Sequence, residues 1–131
     1  MAQKAVELIL MRQLASYLAV PIFLVDTDGN LLYYNEPAEH LLGRRYDETG
    51  EMPLAEWSTA FTPTAEDGRP IPREELALSI ALQKWRPTHR ALVIRGFDGV
   101  ARRIAVTALP LEGQGRRRLG AVAIFWEEHV S

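Results

Sequence analysis

An α+β fold is what this sequence predicts: a five-stranded antiparallel sheet with helices packed on one face and a flanking helix ahead of it. Three observations lead there. Residues 21–34 hold two short apolar runs joined by Asp26-Thr27-Asp28-Gly29-Asn30, the composition of a tight hairpin turn. Residues 36–85 change to helix-type spacing, with prolines and capping residues at the expected places. Residues 88–126 return to strand-like sequence, broken at two glycine-bearing turns, 96–99 and 113–115.

The flanking helix is read over residues 4–18, where Val6, Leu10, Met11, Leu14, Tyr17 and Leu18 share a broad stripe at helical periodicity. Leu8 and Ile9 fall outside that stripe and are also apolar. Pro21 ends the helix and opens the first strand. After the hairpin and a second strand, Leu31 to Tyr34, Asn35 is placed to cap a short helix that has Pro37 in its first turn. Ala38, Leu41 and Leu42 lie on one face of it, and Gly43 supplies a left-handed stop. Residues 44–50 read as a loop, and residues 54–61 as a short helix with Trp57 and Phe61 one turn apart. Residues 62–72 are a turn-rich connector. Residues 72–85 carry a proline and two glutamates early and a Leu78, Ala81, Leu82, Trp85 stripe, a further helix. In the long strand 101–111, Ile104, Val106 and Ala108 alternate with Arg103, Ala105, Thr107 and Leu109. In the last strand, 118–126, simple alternation puts Gly120, Val122 and Ile124 on one face and Leu119, Ala121, Ala123 and Phe125 on the other. That strand is apolar on both faces, so each face needs a cover.

The order strand, Asp-X-Asp-Gly, strand, Asn35-X-Pro37-Ala38 and Leu41-Leu42-Gly43 resembles the start of a PAS domain. Further downstream, Asp67-Gly68-Arg69-Pro70-Ile71-Pro72 with Glu74-Glu75-Leu76 and Ala81-Leu82 is similar to the segment before the last helix of many such domains. Arg95-Gly96-Phe97-Asp98-Gly99 is similar to their next hairpin, and Leu109-Pro110-Leu111 and Gly120-Ala121-Val122 to their last two strands. The resemblance runs over roughly residues 16 to 128 and divides the chain into a flanking helix, 1–18, the domain, 19–128, and a tail, 129–131. It implies a sensor or interaction module rather than an enzyme. In that fold the central helices and the inner sheet face enclose a pocket, and the termini pass a change to an effector such as a histidine kinase, a cyclase or a transcription regulator. Haem-binding relatives use a histidine on the long helix, which residues 72–85 lack, and photoactive relatives use a cysteine. No cofactor is therefore expected, and the protein should be colourless.

Composition narrows the function independently. One domain is the prior for 131 residues. The net charge of −2 does not suit a general nucleic-acid binder. With no cysteine there is no disulfide, thiol nucleophile or thiolate metal site. No run approaches the roughly 18 apolar residues of a membrane span, and the N-terminal stretch lacks the features of a signal peptide. A cytoplasmic location is the expectation. His40, His89 and His129 have no metal-ligand spacing. Ser16, Ser58 and Ser79 have no nucleophile-elbow context, and no phosphate loop is present. Arg116-Arg117-Arg118 reads as solvated charge in a turn.

What remains is apolar. Strand alternation and the helix stripe nominate Phe23, Val25, Tyr33, Trp57, Leu78, Leu82, Ile104, Val106 and Val122 as pocket-lining residues for a small apolar ligand. Such a lining offers little to a flavin ring. A carrier or enzyme acting on apolar metabolites in the same cavity is the alternative reading, and no acid, base or nucleophile cluster supports it. A homodimer is also expected. Packing of the Leu10, Leu14, Leu18 stripe on the outer sheet face would leave Leu8, Ile9, Leu119, Ala121, Ala123 and Phe125 for a second subunit.

Overall fold

The computed structural model describes residues 6–128, so His129 and the 129–131 tail lie outside the described residues. Helix α1 (Val6–Tyr17) leads into strands β1 (Ile22–Asp26) and β2 (Leu31–Tyr34), then helices α2 (Glu36–Leu42), α3 (Tyr46–Thr49), α4 (Leu54–Ala60) and α5 (Ala77–Lys84). Strands β3 (Thr88–Arg95), β4 (Ala101–Glu112) and β5 (Arg118–Glu127) complete a five-stranded sheet in the order β2-β1-β5-β4-β3. Every pairing is antiparallel, so the α+β, PAS-like sheet read from the sequence is the observed one.

The hairpin forms as its residues dictate. Asp26 Oδ1 accepts from the backbone N–H of Asp28 and of Asn30, and Gly29 takes φ 84°, a left-handed conformation that glycine adopts without strain. Helices α2, α4 and α5 pack on one sheet face over a core that includes Phe23, Leu31, Tyr34, Leu42, Trp57, Phe61, Leu78, Ile104 and Phe125. Helix α1 covers the opposite face, where Leu8, Ala15, Ile22, Leu24, Leu32, Leu119 and Val122 form a second core. Both sheet edges are protected: Leu31 bridges to Met52 beside β2, and Thr64 exchanges two backbone hydrogen bonds with Val93 of β3.

Four expectations are corrected. Residues 44–50 are not all loop but contain the one-turn helix α3, whose first N–H, at Tyr46, is held by the Glu39 carboxylate at 2.8 Å. The helix expected over 72–85 is broken. Residues Arg73–Glu75 form a 3₁₀ turn, Leu76 is extended at φ −69°, ψ 148°, and α5 begins at Ala77, so Glu74 and Glu75 lie outside its first turn.

The third correction concerns α1, which is rotated by about a quarter turn from the expected orientation. Leu8, Met11 and Ala15 face the sheet, whereas Leu10 is 57% and Leu14 51% exposed. Two sets of contacts choose this orientation. Ala15 is small enough for its carbonyl to reach the Asn35 side chain at 2.9 Å, and Glu7 binds Gln114 N–H and the Arg117 guanidinium in the β4–β5 loop.

The fourth correction is the parity of β5. A bulge sets Leu111 opposite Gly120 but Glu112 opposite Arg118, leaving Leu119 as the extra residue. Leu119 and Val122 therefore both face α1, while Ala121, Ala123 and Phe125 face the inner core.

Candidate functional site

The inner core is not solid. A cavity of about 80 Å³ lies between the sheet and helices α4 and α5. Phe23 of β1, Ile104 and Val106 of β4 and Ala123 and Phe125 of β5 form its floor. Trp57 and Ser58 of α4, Phe61 at its C-terminal cap, and Ala77 and Leu78 of α5 close it from the helical side, with Leu42, Pro63, Leu76, Leu92 and Ile94 completing the wall.

Local sequence explains how these groups are held. Trp57 Nε1 donates to Gly29 O at 2.8 Å, which satisfies the polar edge of the indole. Phe23 meets Trp57 edge-on at 5.1 Å and Phe61 at 6.3 Å, and Phe61 meets Phe97 at 5.2 Å. The end of α2 is fastened to the β3–β4 hairpin. Phe97 N–H donates to Leu42 O at 2.7 Å, Arg102 Nη1 to Leu41 O at 3.0 Å, and Arg44 lies over the Phe97 ring at 4.4 Å. Leu42 is thereby fixed on the wall. Asp98, bonded to Arg102, has its carboxyl held below the ordinary range.

No lining residue is titratable, so the cavity offers no acid, base or metal-ligand set, and among the described residues no cluster could hold a metal ion. The single polar side chain on the wall is Ser58. It is 7% exposed, and its hydroxyl has no hydrogen-bond partner.

Of the pocket residues nominated from the sequence, Phe23, Trp57, Leu78, Ile104 and Val106 lie on the cavity wall. Val25 and Leu82 belong to the same core but stand back from the wall. Tyr33 and Val122 are on the other sheet face: Val122 because of the β5 bulge, Tyr33 because β2 turns it toward α1, where the Arg12 guanidinium lies 4.7 Å from its ring. The Tyr46 ring lies 5.3 Å from the same cation and meets Tyr33 edge-on at 5.1 Å. Sequence reasoning misses Phe61, although its one-turn spacing from Trp57 marks it, and misses Ser58, whose neighbours carry no signal for a polar wall group.

The expected dimer residues also separate. Leu8 and Leu119 are buried between α1 and the sheet, and Ala121, Ala123 and Phe125 are inside the inner core. Ile9 alone of that set is exposed, on the same side of α1 as Val6, Leu10, Leu14 and Tyr17.

Asn35 is more than a cap. It is fully buried and uses all four hydrogen-bonding positions of its amide. Oδ1 accepts from Ala38 N at 3.2 Å and Ile22 N at 2.9 Å, while Nδ2 donates to Ala15 O and Val20 O, both at 2.9 Å. One side chain thus joins the end of α1, the start of β1 and the start of α2.

Comparison with known proteins agrees with this architecture. The PAS domain of BvgS from Bordetella pertussis superposes with a TM-score of 0.64 at 15% identity, over 95% of this chain and 87% of that one. The PAS domain of nitrogen regulation protein NR(II) from Vibrio parahaemolyticus gives 0.64 at 18% identity, over 91% and 98%. The Rhodobacter sphaeroides LOV protein gives 0.72 at 13% identity, over 94% of this chain and 68% of that one. At these identities the likeness is one of fold. No curated protein matches in sequence. A sequence profile described as the PAS fold matches residues 16–127, nearly the whole described chain, and the chain therefore belongs to the PAS family of signalling sensor and interaction modules.

Proposed function

We propose that this PAS domain senses a small apolar ligand in the cavity between the sheet and α4–α5, and relays its presence through the termini to an effector domain or partner protein. The observation that carries the reading is the cavity itself: an almost wholly apolar space in the inner core, with walls drawn from four of the five strands and from helices α2, α4 and α5. A regulatory effector of the histidine kinase or transcription-regulator type is in keeping with the fold likeness to a nitrogen regulation protein. No helix among the described residues is long and apolar enough to cross a membrane, and we place the module in the cytoplasm. Native mass spectrometry of freshly purified protein tests ligand binding: a retained small molecule, lost on mild unfolding, is expected. A bare mass from every expression host would count against sensing and leave a role in protein contacts alone.

The same proposal includes a homodimer, now through the outward side of α1. Val6, Ile9, Leu10, Leu14 and Tyr17 form an exposed stripe opposite the buried Leu8, Met11 and Ala15. Leu10→Glu with Leu14→Glu should leave the fold intact and raise the dimer dissociation constant roughly 100-fold. Sedimentation of both proteins checks this. A monomeric parent, or a double variant that dimerises unchanged, would overturn it.

A further inference from the structure

Ser58 gives the cavity a chemical preference. It lies on the wall, and its hydroxyl is buried without a partner. Its neighbour on the helix behaves differently: Thr59 Oγ1 donates back to Ala55 O at 3.0 Å and Glu56 O at 3.1 Å. Back-bonding of this kind is the usual resort of a helical hydroxyl. Ser58 does not take it, so one hydrogen-bonding group is left unused on an otherwise apolar wall. Buried polar groups are nearly always paired, and each exception calls for an explanation.

We infer that the ligand is a small, neutral, oxygenated hydrocarbon, a ketone or short alcohol, whose single oxygen pairs with the Ser58 hydroxyl. This rests on the proposal that the cavity takes a ligand, and adds its chemical class. Size comes from the volume. An apolar cavity of roughly 150 Å³ takes benzene, and this one is about 80 Å³, which suits on the order of three or four non-hydrogen atoms. Neutrality follows from a wall with no ionisable side chain, because a buried charge there would have no counter-charge. A single oxygen follows from the single polar wall group, since a second would be buried without a partner.

The test compares acetone with 2-methylpropene, which replaces the carbonyl oxygen by CH₂ at nearly constant shape. Both are titrated by NMR into the parent protein, Ser58→Ala and Ser58→Cys. Alanine suits a helix interior and removes an unpaired hydroxyl, so Ser58→Ala is expected to fold with unchanged or higher stability. Cysteine, a weak hydrogen-bonding group of similar size, serves as the second variant. The ratio of ketone affinity to alkene affinity should fall about tenfold from the parent to Ser58→Ala, with Ser58→Cys in between. An unchanged ratio in both variants overturns the chemical class while leaving the cavity a binding site. Binding of neither probe to the parent overturns the sensing reading as well.

Discussion

Replacing Asn35 by alanine would remove four buried hydrogen bonds, to the N–H groups of Ile22 and Ala38 and to the carbonyls of Ala15 and Val20. Loss of a helix cap together with the loss of buried hydrogen bonds should lower stability by about 3 kcal/mol. Urea unfolding measures it, and a loss below about 1 kcal/mol would show that water readily takes over these bonds. Half of this role was legible. Asn before X-Pro-Ala marks a cap at short range, but the bonds to Ala15 and Val20 depend on α1 folding back against β1, which no local pattern encodes. Three tyrosines make a second residue-scale prediction. Burial raises the hydroxyls of Tyr33, Tyr34 and Tyr46 above the ordinary value of 10.0. The fold thus favours their protonated forms, in which Tyr34 donates to Arg44 O and Tyr46 to Leu32 O. The stability they contribute is complete below pH 10 and is lost as pH rises through the raised values. Urea midpoints should fall as pH rises above 10, less steeply in Tyr34→Phe than in the parent.

At the scale of elements, the hairpins and the α2 caps follow from turn glycines and apolar periodicity. Two features do not. The α1 sequence is apolar around most of its circumference, so periodicity leaves its rotation undecided, and the polar contacts of Glu7 and Ala15 decide it. In β5 a single extra residue, Leu119, inverts the faces of everything after it, which is why Val122 lies under α1 and Phe125 on the cavity wall. Gly120 makes the bulge possible. Its φ is 149°, and a Cβ there would sit 2.0 Å from Val25 O in the neighbouring strand. Gly120→Ala should therefore cost about 3 kcal/mol or more, by strain and by separation of β1 from β5. Gly99→Ala, at φ 79° with nothing within 4 Å of its added carbon, should cost only about 1 kcal/mol. Thermal unfolding of the two variants distinguishes them, and equal losses would show that the close approach to Val25 relaxes freely.

At the scale of the whole molecule, the sheet divides two separate cores. The inner one contains the cavity, and the outer one depends on α1. Family and sheet could be read ahead of the structure, because both rest on local turns and strand periodicity, and five of the nine nominated residues fall on the cavity wall. Ser58 and the outward stripe could not, because both depend on which way a helix faces its neighbours. The strand order has one more consequence. The start of β1 and the end of β5 lie side by side: Ile22 pairs with Ile124, and Phe125 N–H donates to Pro21 O. Tension applied to the two ends of the sheet therefore acts at one shared corner. The hydrogen bonds between β1 and β5 would bear it one after another, as the teeth of a zip do, not all together in shear. In an optical trap with handles at Ala19 and Glu128, the domain should open at lower force than with handles at Thr88 and Ala101, which load β3 and β4 along their length. Equal forces in the two geometries would contradict this.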